Sequence, residues 1–473
     1  MLNKYLLFFI FFFTTSLIKG QDKWTLKQCI DYALNNSNTL KQAKLNTDLA
    51  KTNLTQTQLS NLPNLNGFAT HSYNFGQTID RYTNQFANQR VQSNNFGLSS
   101  NVNIFNGLQN YNNWQQNKTS YQAAQFDEEK TKNDLVLNIL NAYLQILFAK
   151  ENITINKNQV ELTQKQIERT KKLVETGVTN KGTLLQLEAQ LANEELQLIS
   201  TENSYQLAKL NLALLLNLEY PEKFDIESIP VQVPNDNALA VNAEGVYTLA
   251  EQSLPEIKSA ELKLKSSEFA LASARGALFP SINFNATIAT GYSGLRKNFS
   301  NPVIIGYQPY ITPDQTSTFL QPIYSYKTVT TQPFNEQFKN NINKSIGFNL
   351  NFPVFNGWQT QTAIKRAKIN LMNQKINYDN TKNQLRKNVQ QALSDAIAAQ
   401  KKYYATLKSK NAQAENLKYA EQRFQLGAIN SIDYNDAKNR YTKAEIDLLQ
   451  AKYDYLFKVK ILEFYQGKTL VID

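Results

Sequence analysis

The sequence of 473 residues predicts a mainly α-helical chain with a few membrane-type β-strands, arranged as two tandem copies of one unit. Three observations carry that expectation. The first is scarce punctuation: 16 glycines and 12 prolines are roughly half the usual ~7 % and ~5 %, so elements run long and one elongated body is expected. The second is an internal repeat, and the third is a period-two alternation in four short segments. With 42 % hydrophobic residues the chain has the means to bury a core, which excludes wholesale disorder.

Taken from the start, Met1 to Gly20 opens with Lys4, continues through an apolar run from Tyr5 to Phe13, and ends in Thr14, Thr15, Ser16 and Gly20. That is the three-part layout of a secretory signal peptide over 1–20. The run is too short to span a bilayer, and no later stretch approaches the roughly 18 consecutive apolar residues a membrane helix needs. Cys29 lies inside the next amphipathic segment, away from the cleavage point, so no lipidation signal is seen. One cysteine and one histidine, His71, exclude an internal disulfide and a His/Cys metal cluster. No Ser/His/Asp arrangement or phosphate-cradling glycine loop is present, so neither an enzyme nor a cofactor is expected. The charge of +11 is scattered among Asn, Gln and Glu and forms no stripe, which argues against nucleic acid.

The repeat is read from two offsets in the numbering. Ile104, Phe105, Asn106 and Gly107 recur as Val354, Phe355, Asn356 and Gly357, and Gly177 to Asn180 recur as Gly427 to Asn430, both by the same shift. Leu62 to Leu65 recur as Phe279 to Ile282 by a smaller shift, so the second copy carries an insertion between Pro280 and Phe355. The Tyr-, Pro- and Thr-rich stretch 291–341 is its expected place, as a long outer loop. The expected layout is first helices over 21–61, a strand hairpin over 62–105, and a long helix, tip turn and return helix over 106–217. A connecting segment over 218–242 leads to one helix over 243–278, a second strand hairpin over 279–355, and a second long helix, turn and return helix over 356–473.

In the strands, Phe96, Leu98 and Val102 alternate with Asn95, Ser99, Asn101 and Asn103. Ile282 and Phe284 alternate with Asn283 and Asn285, and Phe348, Leu350 and Phe352 with Asn349 and Asn351. Each segment has about the 9 to 11 residues of a tilted membrane strand, with a lipid-facing apolar side and a lumen-facing polar side. Alternation alone also suits a soluble sandwich. The asparagines favour a water-filled lumen, because exposed soluble strands more often carry Lys, Glu and Thr. Four strands cannot close a barrel, so the chain must oligomerise; two copies would give eight strands and three would give twelve.

From Leu108 to Leu173 there is neither Gly nor Pro, an interval that would make a rod of about 100 Å if helical. Ile139, Ile146, Ile153, Val160, Ile167 and Val174 recur every seventh residue, a coiled-coil seam. At its far end Gly177 and Gly427 suit the left-handed position that closes a helix, and Asn180 and Asn430 suit the next N-cap.

These residues together resemble the outer-membrane efflux proteins of the TolC-like family. The resemblance rests on the first helix from Trp24 to Leu34, the strand starts at Pro63 and Pro280, the strand-to-helix elbows at Gly107 and Gly357, and the tips Gly177 to Leu191 and Gly427 to Tyr441. It implies a homotrimer with a twelve-stranded β-barrel in outer-membrane lipid and a coiled-coil tunnel in the periplasm of a Gram-negative bacterium. It implies a periplasmic adaptor (membrane fusion) protein gripping the tips at Gly177, Val178, Asn180, Gly427, Ala428 and Asn430, and an inner-membrane pump of RND, ABC or MFS type. It also implies a periplasmic gate near the tips, for which Glu168, Arg169, Glu175, Glu421 and Arg423 are the candidates. The function expected is a passive exit duct of a tripartite efflux or type I secretion system. The alternative is a secreted coiled-coil rod or adhesin-like protein with a soluble β-hairpin domain.

Overall fold

The computed structural model describes residues 23–88, 90–228, 232–234, 239 and 241–468. The signal peptide expected over 1–20, and Pro230 of the connecting segment, lie outside the described residues.

Helices α1 (Leu26–Asn36) and α2 (Asn38–Leu59) lead into β1 (Asn66–Asn74), the short strands β2 (Gln77–Ile79) and β3 (Phe86–Asn88), and β4 (Val91–Asn106). Then come α3 (Gln109–Glu175), α4 (Lys181–Leu216) and a 3-10 turn at Pro221–Lys223. The second half runs α5 (Ala243–Ser253), α6 (Pro255–Gly276), β5 (Ser281–Ser293), β6 (Lys297–Ile311), β7 (Thr318–Thr331), α7 (Phe334–Asn340), β8 (Asn343–Asn351), α8 (Gln359–Gln425) and α9 (Ser431–Tyr465). The chain is thus mostly helical. Both long helices are continuous over 67 residues, as the absence of Gly and Pro allows.

Two compact units divide the chain. The first, over 1–50, 120–264 and 374–473, is built from helices among its described residues. Its start is fixed by a capping box: the Thr25 hydroxyl accepts from the Gln28 N–H at 3.2 Å, and the Gln28 side chain accepts from the Thr25 N–H at 2.9 Å. Cys29 and Ala33 of α1, Ile139, Tyr143 and Ile146 of α3, Leu212 and Leu216 of α4, and Ile226 of the connecting segment bury together. Ile139, Ile146 and Val160 of the seven-residue series are buried, as a seam demands. The described stretch of the connecting segment from Phe224 to Glu227 is therefore tied to the core: Trp24 bridges to Ile226, and the Tyr143 hydroxyl donates to the Glu227 carbonyl at 2.9 Å. A second cluster joins Val246 and Ala250 of α5, Ile257 of α6, Leu385 and Val389 of α8 and Leu462 of α9.

The second unit, over 51–119 and 265–373, holds every strand described. Four of them form one antiparallel sheet in the order β1-β4-β5-β8, with β1 and β8 as its edges. The strands β2 with β3, and β6 with β7, pair as separate two-stranded ribbons.

Three expectations are corrected. The single helix over 243–278 is two helices, because the residue before Pro255 is driven out of helical geometry and Leu254 is extended, with ψ at 135°. The outer loop over 291–341 is an ordered β6–β7 ribbon followed by α7, a product of the alternating Tyr, Ile and Thr residues that disfavour open loop. Phe352 falls just past β8, whose last partner pair is Asn351 with Ser281, since Pro280 and Pro353 end the ladder on both sides.

Candidate functional site

In an antiparallel pair, directly opposed residues share a face. The register puts Asn101 opposite Asn285, Asn103 opposite Asn283 and Asn283 opposite Asn349, while Asn95 faces Gly291 and Ser99 faces Thr287. Asn351 continues the row opposite Ser281. The eight polar positions of the sequence analysis are one continuous face across three strands. Opposite it, Phe284 lies between Val102 and Phe348, Ile282 pairs with Leu350, and Leu98 with Ile288; the Phe284 and Phe348 rings are 5.2 Å apart. A bulge between Asn103 and Phe105 brings Phe105, not Ile104, opposite Ile282, so the apolar face stays continuous to the strand's end. Phe96 stands apart from the other apolar positions, because Phe334 and Phe338 of α7 pack on it with ring centroids 5.9 and 5.8 Å away.

The elbows that turn each strand into its long helix share one construction. Gly107 and Leu108 have φ of 65° and 62°, and Gly357 and Trp358 have 61° and 67°, two successive left-handed residues that glycine makes affordable. Asn106 then accepts from the Asn110 N–H at 3.3 Å, and Asn356 from the Thr360 N–H at 3.5 Å. The first elbow rests on Gly276: a Cβ on Gly107 would lie 2.1 Å from the Gly276 carbonyl oxygen. Gly276 carries no sequence signal of its own, since a lone glycine at a helix end reads as a simple cap. At the second elbow a Cβ on Gly357 would have nothing within 4 Å, and Val354 and Phe355 are 94 % and 80 % exposed. Pro63 precedes the start of β1 at Asn66, and Pro280 directly precedes β5.

The helix tips are tight turns. Gly177 and Gly427 have φ of 73° and 72°; the Val178 N–H reaches Leu173 O at 2.9 Å and the Ala428 N–H reaches Arg423 O at 2.8 Å, the Schellman closure. Asn180 and Asn430 cap the return helices through the Thr183 and Asp433 N–H groups at 3.0 and 2.9 Å. Both glycines face open space, and Val178, Leu426 and Ile432 are exposed.

Among the described residues, the candidate gate residues Glu168, Arg169, Glu175, Glu421 and Arg423 are exposed and none is in an ion pair. The ionic tie lies further along the helices. Lys438 of α9, 1 % exposed, meets Glu194 of α4 at 3.3 Å, Thr163 Oγ1 of α3 at 2.5 Å and the Gln159 carbonyl oxygen at 3.3 Å, which uses all three ammonium donors. Glu194 accepts from Gln159 at 3.0 Å, from Gln190 at 2.9 Å and from the Thr163 hydroxyl. Burial presses the Lys438 pKa below its usual value, against the opposing pull of Glu194. Nearer the tips Gln166 donates to the Tyr434 hydroxyl at 2.7 Å, Ser431 to Gln186 at 2.9 Å, and Tyr434 stacks on Phe424 at 5.0 Å. These contacts lace the α3–α4 hairpin to the α8–α9 hairpin.

The family model described as outer membrane efflux protein matches residues 29–218 and 246–467, most of the chain. The chain belongs to the outer membrane efflux protein family. It is therefore an outer-membrane protein with a helical periplasmic portion, and the secreted-rod alternative is set aside. Among relatives, the probable outer membrane lipoprotein SilC of Salmonella typhimurium is 24 % identical over 442 residues, covering 90 % of this chain and 82 % of that protein. Two solved structures share the fold. The outer membrane protein VceC of Vibrio cholerae has a TM-score of 0.74 at 16 % identity, over 93 % of this chain and 96 % of that one. The Campylobacter jejuni CmeC outer membrane channel has 0.72 at 19 %, over 94 % and 86 %.

Proposed function

We propose that this efflux protein is the passive exit duct of a tripartite efflux or type I secretion assembly, a homotrimer whose three sheets close a twelve-stranded barrel. The observation that carries the reading is the two-faced, four-stranded sheet with β1 and β8 both unpaired on their outer sides. In hydrocarbon each unsatisfied backbone group costs several kcal/mol, and four strands do not close by themselves. The edges must meet edges of other copies.

A tandem duplication supports the ring. Helices α1 and α2 recur as α5 and α6 with identical lengths and by the same shift as the strand starts, and α3 recurs as α8 by the same shift as the elbows and tips. The first elbow finds Gly276 at the end of α6, while the second has no such partner among the described residues of its own chain. Mapped through the repeat, that partner is Leu59, at the exposed end of α2 in a neighbouring copy. A closed ring of copies supplies every elbow.

On this reading Asn95, Ser99, Asn101, Asn103, Asn283, Asn285, Asn349 and Asn351 line the water-filled lumen, and Leu98, Val102, Ile282, Phe284, Phe348 and Leu350 face lipid. A periplasmic adaptor grips the exposed tips around Gly177 and Gly427, and an inner-membrane pump of RND, ABC or MFS class supplies the energy. Opening separates the α3–α4 and α8–α9 hairpins near the tips, exchanging ties such as Lys438–Glu194 for adaptor contacts. Electron microscopy of the detergent-extracted protein tests this: a threefold particle with detergent at one end supports the duct, and a monomer with a detergent-free sheet refutes it.

A further inference from the structure

We propose that Tyr82 and Asp80 form a second, outer constriction that sets the size of what leaves the duct. The proposal rests on the reading that the asparagine face is the lumen wall. Strand β4 runs toward its elbow, so Val91 to Asn95, with Gly291 and Ser293 of β5 opposite, mark the end of the sheet away from the elbows. There the β2–β3 ribbon folds back over the polar face. The Tyr82 hydroxyl donates to Asn95 Oδ1 at 2.5 Å, and Asn95 Nδ2 donates to the Thr70 hydroxyl at 3.2 Å on the same face. Gly291 makes room for the ring: a Cβ there would lie 1.8 Å from the Tyr82 hydroxyl oxygen. A glycine inside a strand marks such a close approach.

Asp80 fastens the turn. It is 3 % exposed, and its Oδ1 accepts from the Tyr82 N–H at 3.1 Å, the Thr83 N–H at 2.7 Å and the Thr83 hydroxyl at 2.9 Å. Its Oδ2 accepts from the Ser293 hydroxyl at 2.5 Å. Ser293 is held from α7, where Gln337 accepts from its N–H at 2.9 Å and donates to its carbonyl at 3.0 Å. The ribbon is thus tethered to a fixed strand end by a buried carboxylate, which a mobile surface loop would not need.

Twelve strands about 4.8 Å apart, tilted about 40°, enclose roughly 20–25 Å between opposing backbones. A further backbone layer, packed inward at up to ~10 Å from each of three copies, fills most of that width. The remaining gap passes small solutes and stops an extended polymer until the Tyr82 tether releases.

The test places a thiol on the lumen wall below the ribbon, Asn285→Cys, in the full-length protein in intact cells. The native Cys29 is silent because it is buried and burial pushes its thiol up to about 12. Two impermeant reagents are added outside: a small sulfonated methanethiosulfonate, and a maleimide on a long polyethylene glycol. The proposal expects rapid small-reagent labelling, slow polymer labelling, and a polymer rate raised about tenfold or more by Tyr82→Ala and by Asp80→Ala. Tyr82→Phe, which keeps the ring and loses the bond to Asn95, gives a smaller rise. Equal polymer rates with and without Tyr82 overturn the outer constriction and leave the duct standing. Failure of the small reagent to label Asn285→Cys, when the detergent-extracted protein is labelled, overturns the lumen assignment and the constriction with it.

Discussion

Replacing Lys438 by Met keeps the length of the side chain and removes its charge. Glu194 then stays buried without its counter-cation, though the Thr163, Gln159 and Gln190 donors still reach it. Breaking a buried pair from one side costs about 3–5 kcal/mol, and those three remaining donors place this case near the lower end. At about 2 °C per kcal/mol, the lower end of the sensitivity of large domains, the helical melt should fall by roughly 6 °C. The double variant Lys438→Met/Glu194→Gln should recover much of that loss, because no buried charge remains. Circular dichroism of the helical signal on the detergent-solubilised protein measures both. If Lys438→Met melts with the parent, or if the double variant loses the sum of the singles, the pair does not tie α9 to α3 and α4.

The same lysine gives a pH signature. Its folded pKa lies below its ordinary 10.5, so the unfolded chain binds more protons between the two values. Stability should rise with pH through that window, and Lys438→Met should flatten the rise in melts scanned toward pH 10.5. Phe348→Arg, on the apolar face, should cost about 2–4 kcal/mol and deplete the assembled protein in outer-membrane fractions, whereas Asn349→Arg should assemble normally and shift ion selectivity in planar bilayers. Ala428 is exposed at the tip, so Ala428→Trp should assemble as the parent does, while pump-dependent drug export falls about tenfold by minimum inhibitory concentration. Unchanged export removes the tip from the docking surface.

The long helices, elbows and tips were legible because each is a local signal: an interval free of Gly and Pro, a Phe-Asn-Gly turn, and a glycine followed by an N-capping asparagine. The two strand faces are legible for the same reason, and the register joins them with one bulge, between Asn103 and Phe105, that no alternation encodes. What the sequence hides depends on partners distant along the chain. Lys438 sits among Asn435, Asp436, Asn439 and Arg440 and reads as a solvated face; only α3 and α4 bury it. Gly276 and Gly291 matter for what approaches them, which no spacing encodes. The β6–β7 ribbon has alternation of its own but stands outside the repeat, so the insertion reads as loop, and Pro255 carries a helix break that the repeat alignment passes over.

In the proposed ring of three copies joined edge to edge, the repeat read from the sequence would set the seam. Ala289 pairs with Gly97 inside one chain. In the repeat Ala289 corresponds to Ser72 and Gly97 to Gly347, so in that ring the same pair would recur at the seam as Ser72 of one copy against Gly347 of the next. Both lie on the polar face, and Gly347 has room for a Cβ. Opposed residues sit about 4.5–5.5 Å apart, within disulfide reach. The double variant Ser72→Cys/Gly347→Cys, oxidised in the outer membrane and run without reductant, should give a ladder that ends at three chains, while Ser72→Cys/Leu350→Cys, pointing to opposite faces, should give none. A ladder ending at two, or cross-linking that is absent from the first pair, would contradict the twelve-stranded duct.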